Sequence, residues 1–211
     1  MEITESPLPV DSGAARRNKR NFILLALIFI LPAGIAYGLY FGGWRPAKTI
    51  NHGELVSPPR PLEDVALKTL SGADFNTADL RRRWTFVYFG SPDCPRVCAD
   101  NLYKMRQVHI AQGKNQDRVQ RLLVLTGNDT TGRLRKRLQD HPQLKVVTGP
   151  EAGVRALAKQ FVLPAGSPLD LRSRIYLVDP LGNLMMSYPA DADPSGMRKD
   201  LARLLRVSQV G

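Results

Sequence analysis

Residues 85–101 read TFVYFGSPDCPRVCADN, and the order of residue types in that stretch sets the architecture. Thr85 to Gly90 is an apolar run rich in aromatic side chains, of strand length, and Ser91-Pro92-Asp93 after it has the composition of a turn. From Pro95 to about Gln112 the residues Val97, Leu102, Met105, Val108 and His109 recur at roughly helical spacing, and Pro95 suits a first helical turn. A strand passing through a tight turn into a helix predicts an α/β domain. The two cysteines of the chain, Cys94 and Cys98, both sit at that junction.

The same alternation continues downstream. Strands are predicted at Gln120 to Thr126, Leu144 to Thr148, Arg174 to Asp179 and Asn183 to Tyr188, with helices at Thr130 to His141, Pro150 to Phe161 and Pro194 to Val207. Pro180 and Gly182 supply the turn of a hairpin between the last two strands. This pattern is that of a central mixed sheet flanked by helices.

Upstream, residues 22–41 read FILLALIFILPAGIAYGLYF, twenty residues without a formal charge, the length an α-helix needs to cross a bilayer. Pro32 is tolerated in such a helix, and Tyr37, Tyr40 and Trp44 stand where interfacial aromatics belong. Arg16, Arg17, Lys19 and Arg20 crowd its N-terminal edge, against Arg45 and Lys48 beyond it, so the N-terminus is expected in the cytoplasm. The resulting expectation is a cytoplasmic tail over residues 1–20, a single-pass signal-anchor over 21–43 in the inner membrane, a Pro-rich tether over 44–61, and an α/β domain over 62–211 in the periplasm. A cleaved secretory signal fits less well, because the apolar stretch is long and Ala33 to Ala36 is a poor cleavage site.

The chain carries a formal net charge of +11, and from Trp44 onward 26 basic side chains face 16 acidic ones. Anionic partners are favoured, but basic residues are not interleaved with aromatic ones and no zinc knuckle or helix-turn-helix is present, so nucleic acid is not expected as a partner.

Cys94 and Cys98 stand four apart, a spacing that places both sulfurs on one helical face. The start of a helix, with its unpaired N–H groups and dipole, favours a thiolate. Arg96 between them acts in the same direction and Asp93 against it. With the first cysteine the more exposed, Cys94 is expected to attack and Cys98 to resolve the mixed disulfide. A purely structural bridge over so few residues would constrain the unfolded chain little. A zinc site would need four ligands, and His52, His109 and His141 form no recognisable set with the cysteines. Dithiol redox chemistry and the binding of Cu(I), which thiolates select, both stay open.

Four stretches occurring in order, YFGSPDCPRVC, LLVLTGNDTTGRLRKRL, TGPEAGVRALAKQF and RIYLVDPLGNL, resemble the Sco/SenC family and together cover most of Leu62 to Val207. The resemblance implies a thioredoxin-like fold, a role in assembling the copper site of cytochrome c oxidase, and a client carrying a cysteine pair such as oxidase subunit II. In that family the two cysteines and a distant histidine bind copper, and the same cysteines cycle between dithiol and disulfide. The family histidine precedes the IYLVD-type strand; here that segment reads SPLDLRSRIYLVD, with Leu171 at the corresponding position. Arg96 and Ala99 replace the acidic and proline residues common in and after the family motif. The resemblance therefore points to a thiol-disulfide oxidoreductase with Cys94, Cys98 and Arg96 as its working residues and no required cofactor. Copper held as Cu(I) by Cys94 and Cys98 is the alternative, with Met185, Met186 or His109 as substitute ligands, and a non-catalytic assembly scaffold is a third.

Overall fold

In the computed structural model, which describes residues 12–43, 50–127 and 133–208, the chain forms two units, Met1–Thr49 and Ile50–Gly211. The first contains one helix, α1 (Ser12–Phe41). It starts nine residues before the expected membrane span, because the Arg- and Lys-rich segment ahead of Phe22 has good helix propensity. Its part Arg17–Phe41 is long and apolar enough to cross a bilayer. Pro32 lies inside the helix, as expected.

The second unit begins with three strands, β1 (Glu54–Pro61), β2 (Ala66–Thr69) and β3 (Asp74–Asn76), and a 3-10 turn over Thr77–Leu80. Then come β4 (Trp84–Gly90), α2 (Arg96–Ile110), a second 3-10 segment (Gly113–Arg118) and β5 (Val119–Leu125). The chain closes with α3 (Arg133–Leu138), β6 (Leu144–Thr148), α4 (Glu151–Lys159), α5 (Pro168–Leu171), β7 (Ile175–Val178), β8 (Asn183–Tyr188) and α6 (Pro194–Val207). The strands make one mixed sheet in the order β1-β8-β7-β4-β5-β6-β2-β3. β4, β5 and β6 run parallel, and β7 and β8 return antiparallel as the expected hairpin.

β4 is central and buried along its whole length, and its alternating side chains feed two cores. Trp84, Phe86 and Tyr88 join Leu102, Met105 and Val108 of α2 and Met197, Leu201 and Leu205 of α6 on one face. Val87 and Phe89 join Leu122, Val124, Leu157, Phe161 and Tyr176 on the other. Both cores and all the strands lie within residues 50–211, so this unit has what it needs to fold by itself.

Two expectations are corrected here. The tether drawn over 44–61 is a strand from Glu54 onward, paired antiparallel with β8. Pro58, Pro59 and Pro61 concealed it, yet an edge strand bonded on one side only accommodates residues that lack an N–H. The helix expected at Thr130 to His141 is a helix over Arg133–Leu138; Asn128 to Gly132, Trp44, Arg45 and Lys48 lie outside the described residues.

Candidate functional site

The carboxyl ends of β4, β5 and β6 share one edge of the sheet, where open α/β folds place their chemistry. β4 ends at Gly90, and the Cys94 N–H donates to the Ser91 carbonyl oxygen at 3.0 Å to close the turn that enters α2. Cys94 itself has φ +39°, so it stands before the helix and not on it. Cys98 lies in the first turn of α2. The two are joined by a disulfide with their Cα atoms 5.0 Å apart. The pair thus meets across the helix start, and not along a helical face.

Neither cysteine is exposed: Cys94 is 2% and Cys98 1% exposed, both part of the core beneath α2. Arg96 is turned away, its side chain 94% exposed and its guanidinium 3.8 Å from the Asp100 carboxylate one helical turn on. Asp93 is also exposed. Gly90 lies beside the pair: a Cβ there would be in contact with Cys98 Sγ at 3.5 Å and would crowd Leu123 Cδ1 at 3.0 Å and Tyr88 Cε1 at 3.1 Å.

The sequence did not single out the groups that hold the neighbouring loop. Asn101, fully buried three residues after Cys98, donates through Nδ2 to the Ser173 carbonyl oxygen at 2.8 Å. Tyr88 donates its hydroxyl to the Arg172 carbonyl oxygen at 2.6 Å, and burial pushes its pKa up to about 12, so the phenol stays a donor. Together they pin the segment between α5 and β7, directly after Leu171, where the resemblance expects a third ligand, against β4 and α2. A polar Asn on the apolar face of α2 was the one available signal. Beside this segment a cleft of about 650 Å³ is lined by Thr126, Gly127, Gly149, Pro150, Leu169 and Arg172. Gly127 packs near Pro92 of the cysteine turn: a Cβ on it would lie 3.7 Å from Pro92 Cδ.

The donor set does not fit a metal held by three protein ligands: among the described residues no group of three His, Cys, Asp or Glu side chains converges. His109 is buried at the far end of α2, about 16 Å along the helix from Cys98, too far to share an ion with it. Of the two methionines, Met186 is in the core with the cysteines and Met185 is only partly buried, as their opposite faces on β8 dictate.

His109 and His141 are instead both buried and each within reach of the Arg121 charge. Burial, and then the Arg121 charge, hold both imidazoles below 6.5. A group with a depressed folded-state pKa binds protons more readily when unfolded, so its stabilisation is complete above pH 6.5 and is lost as pH falls through the folded value. Urea melts of residues 50–211 are expected to show stability falling below pH 6.5, by at most about 1.4 kcal/mol per pH unit for each histidine. His109→Gln and His141→Gln together flatten that fall; an unchanged slope in the double variant would refute the assignment.

Residues 84–208 match the family described as transmembrane-like, thioredoxin-like, C-terminal domain. The chain is 31% identical over 194 residues to the mitochondrial SCO2 homolog of Bos taurus, covering 84% of this chain and 71% of that protein. It is 24% identical over 148 residues to mitochondrial SCO2 of Saccharomyces cerevisiae, covering 63% of this chain and about half (49%) of that relative. Yeast Sco1 with copper bound has a similar fold, with a TM-score of 0.61 at 22% identity over 72% of this chain and 96% of that one. So does BsSco, described with a disulfide switch as a member of the Sco family of cytochrome c oxidase assembly proteins, at a TM-score of 0.56 and 14% identity over 74% and 99% of the two chains.

Proposed function

This chain belongs to the Sco family of thioredoxin-like proteins, and on that premise we propose that it is a membrane-anchored thiol-disulfide oxidoreductase that reduces a client cysteine pair during cytochrome c oxidase assembly. The observation that carries the reading is the Cys94–Cys98 disulfide at the carboxyl edge of the sheet, with no convergent third ligand among the described residues. Two sulfurs suffice for dithiol exchange, whereas Cu(II) calls for further nitrogen or oxygen donors.

In the reaction, the Cys94 thiolate attacks one sulfur of a client disulfide, forming a mixed disulfide and releasing one client thiolate, which takes up a proton. The Cys98 thiolate then attacks the Cys94 sulfur and releases the second client thiol. The client gains two electrons, and the domain ends as the disulfide seen here. Reduction by a dithiol donor resets it. Cys94 is the better attacking group because it precedes α2: residues 91–95 can swing outward without unwinding the helix, which carrying Cys98 out would require. That outward movement is needed, since both sulfurs are buried. The first turn of α2 favours the Cys98 thiolate, Arg96 adds only a solvent-screened field, and the cleft beside Pro92 and Arg172 receives the client backbone.

The charge asymmetry about α1 supports a cytoplasmic N-terminus, with residues 50–211 in the periplasm beside the oxidase subunit II domain. Cytosolic reductants would keep such a pair reduced permanently; an exported one can cycle.

Redox titration of residues 50–211 is expected to give one reversible two-electron transition, with no copper retained at a 1:1 ratio after Cu(I) loading and gel filtration. Retention of Cu(I) at 1:1, lost in Cys94→Ser and accompanied by slow thiol exchange, would replace this reading with that of a Cu(I) chaperone.

A further inference from the structure

At the end of the sheet opposite the cysteines, the β7–β8 turn brings Asp179 to Asn183 beside the segment that leads into β4. That segment is Arg81-Arg82-Arg83, three consecutive exposed arginines. The Arg82 N–H donates to the Pro180 carbonyl oxygen at 2.7 Å, locking the two segments together, and Arg82 has φ +72°, so the run kinks here and does not continue as a strand. The Arg81 side chain lies along Gly182, where an added Cβ would meet it at 3.4 Å. At the tip of the turn stands Leu181, 68% exposed.

The acids nearby are already engaged. The Asp179 carboxylate accepts from the N–H groups of Leu181 and Asn183 and from Asn183 Nδ2, at 2.8 to 2.9 Å. Asp79 accepts from the Asn76 N–H. Asp64 faces Arg81 at 3.9 Å. Among the described residues Arg82 and Arg83 form no ion pair. The result is one apolar side chain on a rigid turn beside three arginines, of which Arg81 pairs with Asp64 while Arg82 and Arg83 form no ion pair among the described residues.

We propose that this tip, Leu181 with Arg81, Arg82 and Arg83, is a docking surface for anionic lipid headgroups. The arginines meet phosphates while the leucine enters the headgroup layer, the division of labour that interfacial membrane contacts use. A bilayer suits this chemistry better than an acidic protein surface, because a lone projecting leucine needs a soft apolar layer and not a shaped pocket. The proposal rests on the anchored reading for its biological setting. Gly43 to His52 amount to ten residues, at most about 35 Å of extended chain. The run of β8 from the turn to Tyr188, beside which Gly53 sits, spans only about 20 Å. The link is thus long enough for the tip to reach the bilayer surface from which α1 emerges, and weak contacts suffice when a tether keeps the surface near. Docking by this end turns the cysteine edge outward, toward a client in the aqueous compartment.

Residues 50–211, which lack α1, provide the test, since α1 would mask any weaker contact. Co-sedimentation is expected with vesicles containing roughly one third phosphatidylglycerol but not with pure phosphatidylcholine, and salt should weaken it. Arg82→Gln and Arg83→Gln are each expected to lower the vesicle partition coefficient roughly fivefold. Leu181→Trp adds a reporter to a domain whose one native tryptophan, Trp84, is buried, and its emission should shift to the blue only with anionic vesicles. Equal binding to neutral vesicles, binding unchanged by the arginine substitutions, or no binding with self-association instead would each overturn the proposal. None of these outcomes touches the cysteine chemistry, and carbonate extraction of the full chain tests the anchor separately.

Discussion

Cys98→Ser in the full chain is expected to accumulate a mixed disulfide between Cys94 and the client, while Cys94→Ser should form none and keep less than about one per cent of the proposed reductase activity. The asymmetry follows from placement. Cys94 sits on the turn before α2 and is the sulfur that can swing out to a client; Cys98 is locked in the first helical turn, where it can only strike inward. Without Cys98 the covalent intermediate has no intramolecular exit, so it is trapped and visible on a non-reducing gel. Both variants are expected to stay folded. The bridge closes so short a loop that its loss costs about 2 kcal/mol on chain-entropy grounds, and both side chains are small and remain packed in the core. Trapping by Cys94→Ser in place of Cys98→Ser would reverse the assigned roles. Intact oxidase assembly in cells carrying either variant would reduce the pair to a staple.

Asp200→Ala is expected to destabilise residues 50–211 by roughly 3–5 kcal/mol in urea melts, a loss built from several buried donors each left without an acceptor. Asp200, 2% exposed on α6, accepts through Oδ2 from the backbone N–H groups of both His52 and Gly53 at 2.9 Å. The Tyr188 hydroxyl approaches the same oxygen at 3.4 Å, and burial together with that carboxylate raises its pKa, so the phenol remains a donor. This carboxylate fastens the entry of the chain onto α6 just before β1, an edge strand bonded only to β8. Asp200→Asn keeps an acceptor in place and should cost only about 1 kcal/mol, the charge-assisted part. A loss in Asp200→Ala no larger than that of Asp200→Asn would show that the latch contributes little. The same corner explains Gly53: a Cβ there would stand 2.5 Å from Tyr188 Cε1 and 2.7 Å from the Met186 sulfur, both held in the core.

How much was legible depended on whether the information was local. β4, β6, β8, α2 and α6 could be drawn to within a residue or two because apolar runs of strand length and helical periods are displayed by the chain itself. The short strands β2 and β3 were not drawn, since three or four residues show no period. β1 was taken for a tether because its prolines argue against a strand unless it is known to lie at an edge, and edge position is a property of the whole sheet. At the site, the spacing of Cys94 and Cys98 announced their chemistry, but nothing adjacent in sequence showed that both would be buried.

By itself, then, the sequence determined an apolar helix of membrane-spanning length, an α/β domain with its dithiol at a strand-to-helix turn, and membership of a family by motifs in order. Only the tertiary structure decided which loop Tyr88 and Asn101 pin, how the domain's entry is latched, and that the arginine run lies beside the turn carrying an exposed leucine. Asn101 meets Ser173 across 72 residues, Tyr88 meets Arg172 across 84, and Gly53 meets Asp200 across 147. Periodicity and spacing report on neighbours within a turn or two, whereas contacts at these separations exist only once the sheet has brought its edges together.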